Sequence, residues 1–203
     1  MSSLPETARR HSSRRTKAAR LSCPACHGAI TGGASRCPSC QFTGADTMAM
    51  FPGNPPPLLP ILDVANVWNA ADVKLIENAC ASFGKRFPQF HWRFAAVDMP
   101  PTVPLNILGF WLLNAATLVP PETPHDRAWT VLLILNRSNG NAAVIPGYAA
   151  EPWITDLGWL DILRSMRDPW RIGDSGKAVV AFLSAAQKTL EREWKNIRPS
   201  SKP

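Results

Sequence analysis

The strongest two-part pattern in the chain is the stretch from Trp129 to Asp156. An apolar run from Val131 to Leu135 is followed by the polar, turn-prone Asn136-Arg137-Ser138-Asn139-Gly140 and then by a second apolar run from Ala142 to Ile145. Two short apolar runs joined by a five-residue loop containing glycine predict a β-hairpin. The second run continues through Gly147-Tyr148 into Glu151-Pro152, with Asp156 beyond. Carboxylates are thereby expected at the exit of a buried strand, where α/β folds tend to place their sites.

The same periodicities predict the neighbouring elements. Asn69 looks like a helix cap, and Val73, Ile76, Cys80, Phe83 and Phe87 follow at steps of three and four until Pro88 stops the helix. Cys80 is therefore expected in the core and not as a nucleophile. Phe90 to Val97 alternates, with Phe90, Trp92, Phe94 and Ala96 on one face and His91 and Arg93 on a half-exposed opposite face. Leu105 to Val119 is apolar enough for a buried helix, and residues 120 to 127 read as a loop. Thr155 or Asp156 is expected to cap a helix running to about Arg167, with Leu157, Leu160 and Leu163 inward and Trp159 beside them. Asp168 to Asp174 reads as a loop, and Gly176 to Trp194 as a final amphipathic helix carrying Val179, Phe182, Leu183, Ala186 and Leu190. Strands and helices alternate through most of this order, which favours a layered α/β sandwich around a mixed sheet.

Composition changes this picture mainly at the amino terminus. Residues 1–20 show no hydrophobic period and hold six basic residues against Glu6, whereas the rest of the chain has 16 basic and 14 acidic residues. The basicity belongs to a tail, expected to be disordered, and the remainder is nearly neutral. Such a tail can meet nucleic acid or an anionic surface, although no aromatic residue is interleaved to stack on bases. No apolar run reaches the roughly 18 residues a membrane helix needs. Neither arginine pair of the tail is followed by the apolar segment of an export signal, so a cytoplasmic address is expected. Prolines 52, 55, 56, 57 and 60 mark residues 45–60 as a stiff extended linker.

Between tail and linker lies the most specific chemistry in the sequence. Cys23-Pro-Ala-Cys26 and Cys37-Pro-Ser-Cys40 are separated by ten residues. Each pair can turn two sulfurs onto one ion, and two pairs make the closed thiolate cage favoured by structural zinc. An iron–thiolate centre or two redox-active pairs are the alternatives. A segment this small buries no core, so metal binding would supply its folding energy. Four thiolates fill the shell, leaving His27 as an exposed loop residue and no open catalytic position.

Over residues 61–198 the chain resembles the TPM domain family, which includes a thylakoid-lumen protein of photosystem repair, an auxiliary protein of a nematode acetylcholine receptor and many bacterial envelope proteins. Asp63-Val-Ala-Asn66 is similar to the family's opening motif. Trp92 to Val97 and Val131 to Leu135 resemble its long strands, Gly147-Tyr-Ala-Ala-Glu151 with Asp156 its glycine-tyrosine signature, and Ile172-Gly-Asp174 the loop before its last helix. The resemblance implies an αβα sandwich around a small mixed β-sheet. It also implies a calcium or magnesium ion at acidic loops, with Asp63, Glu151 and Asp156 as the candidates by position, and a weak acid-phosphatase activity in one branch. Hard cations take several carboxylate oxygens, and such an ion could polarise a phosphoryl oxygen.

No Ser/His/Asp order, Walker loop, dinucleotide fingerprint or HExxH is present. The organisation expected is a basic tail (1–20), a four-cysteine zinc ribbon (21–44), a proline-rich linker (45–60) and a TPM-like α/β domain (61–198). The function expected first is a cytoplasmic, non-catalytic adaptor that binds a protein partner. A divalent-metal-dependent phosphatase and a nucleic-acid-associated protein acting through residues 1–46 are the alternatives.

Overall fold

In the computed structural model, residues 21–31 and 34–197 are described. The basic tail, with the disorder and nucleic-acid contacts expected of it, lies outside them, as does the end of the chain from residue 198. The elements in chain order are β1 (Leu21–Ser22), β2 (Ala29–Ile30), α1 (Gly44–Met50), β3 (Ile61–Asp63), α2 (Ala70–Arg86), β4 (His91–Val97), α3 (Leu105–Ala115), α4 (Pro124–Ala128), β5 (Thr130–Asn136), β6 (Ala142–Pro146), a 3₁₀ turn (Glu151–Trp153), α5 (Asp156–Arg164), α6 (Arg167–Arg171) and α7 (Ser175–Ile197).

A small β1–β2 hairpin precedes a four-stranded mixed sheet in the order β3-β4-β5-β6, parallel across β3, β4 and β5 and antiparallel between β5 and β6. Helices cover both faces. Trp92, Phe94, Val131, Leu133 and Leu135 pack with α2, α5 and α7, whereas Ala95, Val97, Leu132 and Ile134 pack with α3. The result is an αβα sandwich around a small mixed sheet. The hairpin expected from the sequence is β5–β6, and α2 carries the expected cap. Asn69 accepts from the Ala71 and Asp72 amides, and Asp72 accepts from the Asn69 amide. All five expected core residues of α7 are buried.

Four readings of the sequence are corrected. The first concerns β4, in which every residue after His91 is buried, Arg93 included. A central strand covered on both faces has no solvated side. Arg93 is held there by donating to the carbonyls of Leu58 (2.6 Å) and Val119 (2.8 Å) and by pairing with Glu122 (2.6 Å).

The second concerns the linker, which is not extended throughout. Thr43 and Asp46 form a capping box that starts α1, and Phe51 stacks on Trp111 of α3 with ring centroids 5.2 Å apart. Leu58 is wholly buried and pairs with Leu118. The proline run thus spans a connection fixed at both ends.

In α5, the third, the inward face is Trp159 and Ile162, while Leu157 is 74% and Leu160 49% exposed. Steps of three residues drift by about 60° each around a helix of 3.6 residues per turn, so Leu157 and Leu163 stand about 120° apart, and of the three leucines only Leu163 packs against the core. Thr155 supplies the cap, accepting from the Gly158 amide.

Fourth, the two expected loops at 120–127 and 168–174 each contain a short helix, α4 and α6. The first is started by Thr123, Pro124 and Asp126 in a capping box with proline at the first turn.

Removing the carboxylate from Glu122 leaves a charged guanidinium in a site where Arg93 is fully buried. Glu122→Ala is expected to lower the unfolding free energy by about 3 kcal/mol in urea titration. A change near zero would show that the two backbone carbonyls satisfy Arg93 unaided.

Candidate functional site

The two Cys-x-x-Cys segments fold alike. The His27 amide bonds to the Cys23 carbonyl and the Cys23 amide to the Gly28 carbonyl; the Gln41 and Cys37 amides repeat this with Cys37 and Phe42, all four at 2.9 Å. His27 (φ 57°) and Gln41 (φ 64°) occupy the left-handed position that closes each knuckle. Cys23 and Cys40 sulfurs lie 3.7 Å apart, Cys26 and Cys37 sulfurs 3.6 Å, and all four lie within 4.8 Å of one another. A tetrahedral ion about 2.3 Å from each sulfur requires sulfur–sulfur separations of about 3.8 Å, so the cluster fits a metal ion. The thiols differ before any ion binds. Backbone N–H groups, that of Cys40 foremost, draw the Cys37 thiol down to about 6, while burial pushes the Cys23 thiol up. A dication resolves this conflict, because it lets four adjacent sulfurs be thiolates together.

The ribbon is seated on the domain. The Ser22 amide donates to Glu151 Oε1 at 2.6 Å, and His27 Nε2 lies 2.9 Å from Asn106 Nδ2 on α3. Phe42 meets Phe110 of α3 edge-on with centroids 6.4 Å apart. His27 is thus an exposed docking residue and not a member of the cysteine cluster. Asn106, which interrupts the apolar run of α3 in the sequence, supplies the partner.

Between the ribbon, α3, β6 and α5 lies a groove of about 840 Å³. Its floor is the outer edge of β6. One wall carries Phe110 and Leu113 of α3, the other Trp159, Leu160 and Leu163 of α5. Ser22, Cys23, Pro24 and His27 close one side. Glu151 and Asp156 face this space, and burial, reinforced by the nearby Asp156 charge, pushes the Glu151 carboxyl up against the opposing pull of the Ser22 hydrogen bond.

Asp63 is elsewhere. Both of its oxygens are occupied by backbone donors, Val67 N at 2.9 Å and Trp68 N at 2.8 Å, so it closes the turn after β3. It stands on the sheet's first strand, whereas Glu151 follows the last, so three strand spacings, about 14 Å, separate the two strands across the sheet alone. The reversal of β6 also puts its exit at the amino ends of β4 and β5, opposite the end where β3 delivers Asp63. The carboxylates do follow the exit of a strand, as expected, but at the end of the sheet opposite the carboxyl ends of its parallel strands, where α/β folds tend to place their sites. Among the described residues, the four cysteines are the group of three or more potential ligands that gathers on one point.

Gly147 of the glycine-tyrosine signature has a steric role. A Cβ there would come 2.5 Å from the Ala128 carbonyl oxygen, and the same carbonyl receives the Ala149 amide at 2.8 Å. The signature thus fastens the exit of β6 beneath α4.

No family model and no curated protein matches the chain. Solved structures do match. The N-terminal domain of a P. gingivalis protein has a TM-score of 0.50 at 14% identity, covering 66% of this chain and 83% of its own. The BA42 protein of the psychrophilic bacterium Bizionia argentinensis gives 0.48 at 12%, covering 69% and 94%, and the N-terminal domain of the cg2496 protein of Corynebacterium glutamicum gives 0.46 at 12%, covering 70% and 84%. At such identities the first likeness is one of fold alone, and the other two carry no argument.

The fifth thiol behaves differently from the ribbon's. Burial, with a contribution from Glu77, pushes Cys80 from 9.0 up to about 12. Since the unfolded thiol ionises first, this group lowers stability as pH rises above about 9. With metal bound, the folded chain is expected to show no thiol reactive toward iodoacetamide at pH 8. Chelation should expose four, and Cys80 should follow only on unfolding. Labelling of Cys80 in the folded, metal-loaded chain would contradict this placement.

Proposed function

We propose that the chain is a non-catalytic cytoplasmic adaptor in which a zinc ribbon is fixed to a TPM-like domain and the two together bind a protein partner. The observation that carries this reading is the seating of the ribbon on the domain through Ser22–Glu151 and His27–Asn106. These contacts make the ribbon one wall of an apolar groove instead of an independent module. Zinc is the metal this donor set favours, because four thiolates in a closed tetrahedron suit a borderline-soft ion with no redox chemistry. The acidic residues support binding over hydrolysis. Asp63 is engaged by backbone donors and Glu151 by the ribbon, so two of the three carboxylates the TPM resemblance implies for calcium or magnesium serve structural bonds here, and Asp63 stands apart from the other two.

The test has two arms. Tagged chain recovered from its native cells is expected to retain a defined partner set with about one zinc per chain, and Cys37→Ser/Cys40→Ser is expected to lose both. Purified chain with excess calcium or magnesium is expected not to hydrolyse an aryl phosphate. Hydrolysis abolished by Asp156→Asn would overturn the non-catalytic reading in favour of a metal-dependent phosphatase, and partner recovery unchanged in the cysteine variant would overturn the role of the ribbon.

A further inference from the structure

The floor of the groove is an unpaired sheet edge. Strand β6 pairs with β5 on one side and, among the described residues, with nothing on the other. The ladder is bounded by Asn136 N–H to Asn141 C=O at 2.8 Å and Gly147 N–H to Thr130 C=O at 2.7 Å. Hydrogen-bonded pairs in an antiparallel ladder alternate with non-bonded ones, so residues 141, 143, 145 and 147 turn their backbone groups toward β5. Ala142, Val144 and Pro146 turn theirs outward. The open edge therefore offers the N–H groups of Ala142 and Val144 and the carbonyls of Ala142, Val144 and Pro146. None of these outward groups has a partner among the described residues.

The surroundings select what can reach them. Phe110 and Leu113 on one side and Leu160 and Leu163 on the other leave a trench, so a second folded sheet, bringing its own helices, is kept away while a single extended chain fits. A copy of this chain meets the same obstacle, because its own β6 is sunk between α3 and α5. The edge from Ala142 to Pro146 is about 17 Å long at strand rise, and the groove volume falls within the range of sites that bury most of a bound ligand. The charge in the trench is negative on balance. Glu122 is paired with Arg93, and Arg127 keeps its positive charge while donating to the carbonyls of Leu113 and Ala116 on the α3 side. Glu151 and Asp156 have no ion pair among the described residues.

We infer that the groove binds an extended segment of a partner protein, added as a strand to the outer edge of β6, with apolar side chains directed at the α3 and α5 walls and a lysine or arginine directed at Glu151 and Asp156. Strand addition supplies affinity through the main chain and specificity through alternate side chains. The missing N–H of Pro146 ends the added strand at that position. This inference rests on the adaptor reading and names the partner's chemistry.

The test uses full-length, zinc-loaded chain and a phage-displayed library of random linear peptides. Selection is expected to enrich apolar sequences with a basic residue at a fixed position. Synthetic versions should bind roughly tenfold more weakly when that residue is changed to glutamine, the equivalent of losing one charge-assisted hydrogen bond. N-methylation of alternate peptide amides should abolish binding, as should Val144→Pro, which removes an outward donor. Because Val144→Pro can impair folding, Leu160→Glu is the second variant; its side chain is 49% exposed, and it should block binding at unchanged thermal stability. Peptides that bind as helices, binding indifferent to Leu160→Glu and to N-methylation, self-association of the chain through this edge, or no enriched sequence would each overturn the inference. Native partners retained by Leu160→Glu would overturn the groove alone, whereas the absence of any native partner would overturn the adaptor reading itself.

Discussion

A buried guanidinium on the central strand β4 is the tie on which the arrangement depends. Arg93 donates to the Leu58 carbonyl before β3, to the Val119 carbonyl after α3 and to Glu122. Glu122 in turn accepts from the Thr130 hydroxyl at the start of β5. A single charge thereby fixes the segment arriving from the ribbon, the exit of α3 and the start of β5. An uncompensated charge in such a place is costly, so these parts cannot separate without exposing or orphaning it. The position of α4 follows, and with it Arg127, which closes the end of α3, and the Ala128 carbonyl, which pins the exit of β6.

The ribbon extends this arrangement and does not hang from it. It buries little apolar surface of its own, so a bound metal must offset the entropy of ordering it. Once ordered, its knuckle presents Ser22 and His27 to the domain, and the groove acquires its closing side. Metal binding and groove shape are linked through a few short polar contacts and the Phe42–Phe110 and Phe51–Trp111 pairs.

Legibility in the sequence followed the kind of interaction involved. Patterns set by local periodicity were readable: the β5–β6 hairpin, α2 with its asparagine cap, α7 and the paired cysteines. Features set by long-range partners were not. Arg93 looked like half of a solvated strand face because Glu122 and the two carbonyls that hold it lie 26 to 35 residues away. The carboxylates after β6 follow the exit of a strand, as the pattern predicts, but the antiparallel turn of the hairpin sets that exit at the amino ends of β4 and β5, which local pattern does not reveal. The seating of the ribbon leaves only a faint trace in the sequence, in Asn106 as a polar residue in the first turn of the apolar α3. Thr43-x-x-Asp46 is a local signal as well, a capping box that announces α1 at the edge of what the prolines mark as linker.

The central claim is that ribbon and sheet edge form one binding surface held by the metal. Backbone hydrogen–deuterium exchange of the full-length, zinc-loaded chain, repeated after chelation, tests it most directly. The account predicts faster exchange in residues 21–43 and also at the 3₁₀ turn around Glu151 and the exposed face of α3, with β4 and β5 unchanged. Faster exchange confined to the ribbon would contradict it.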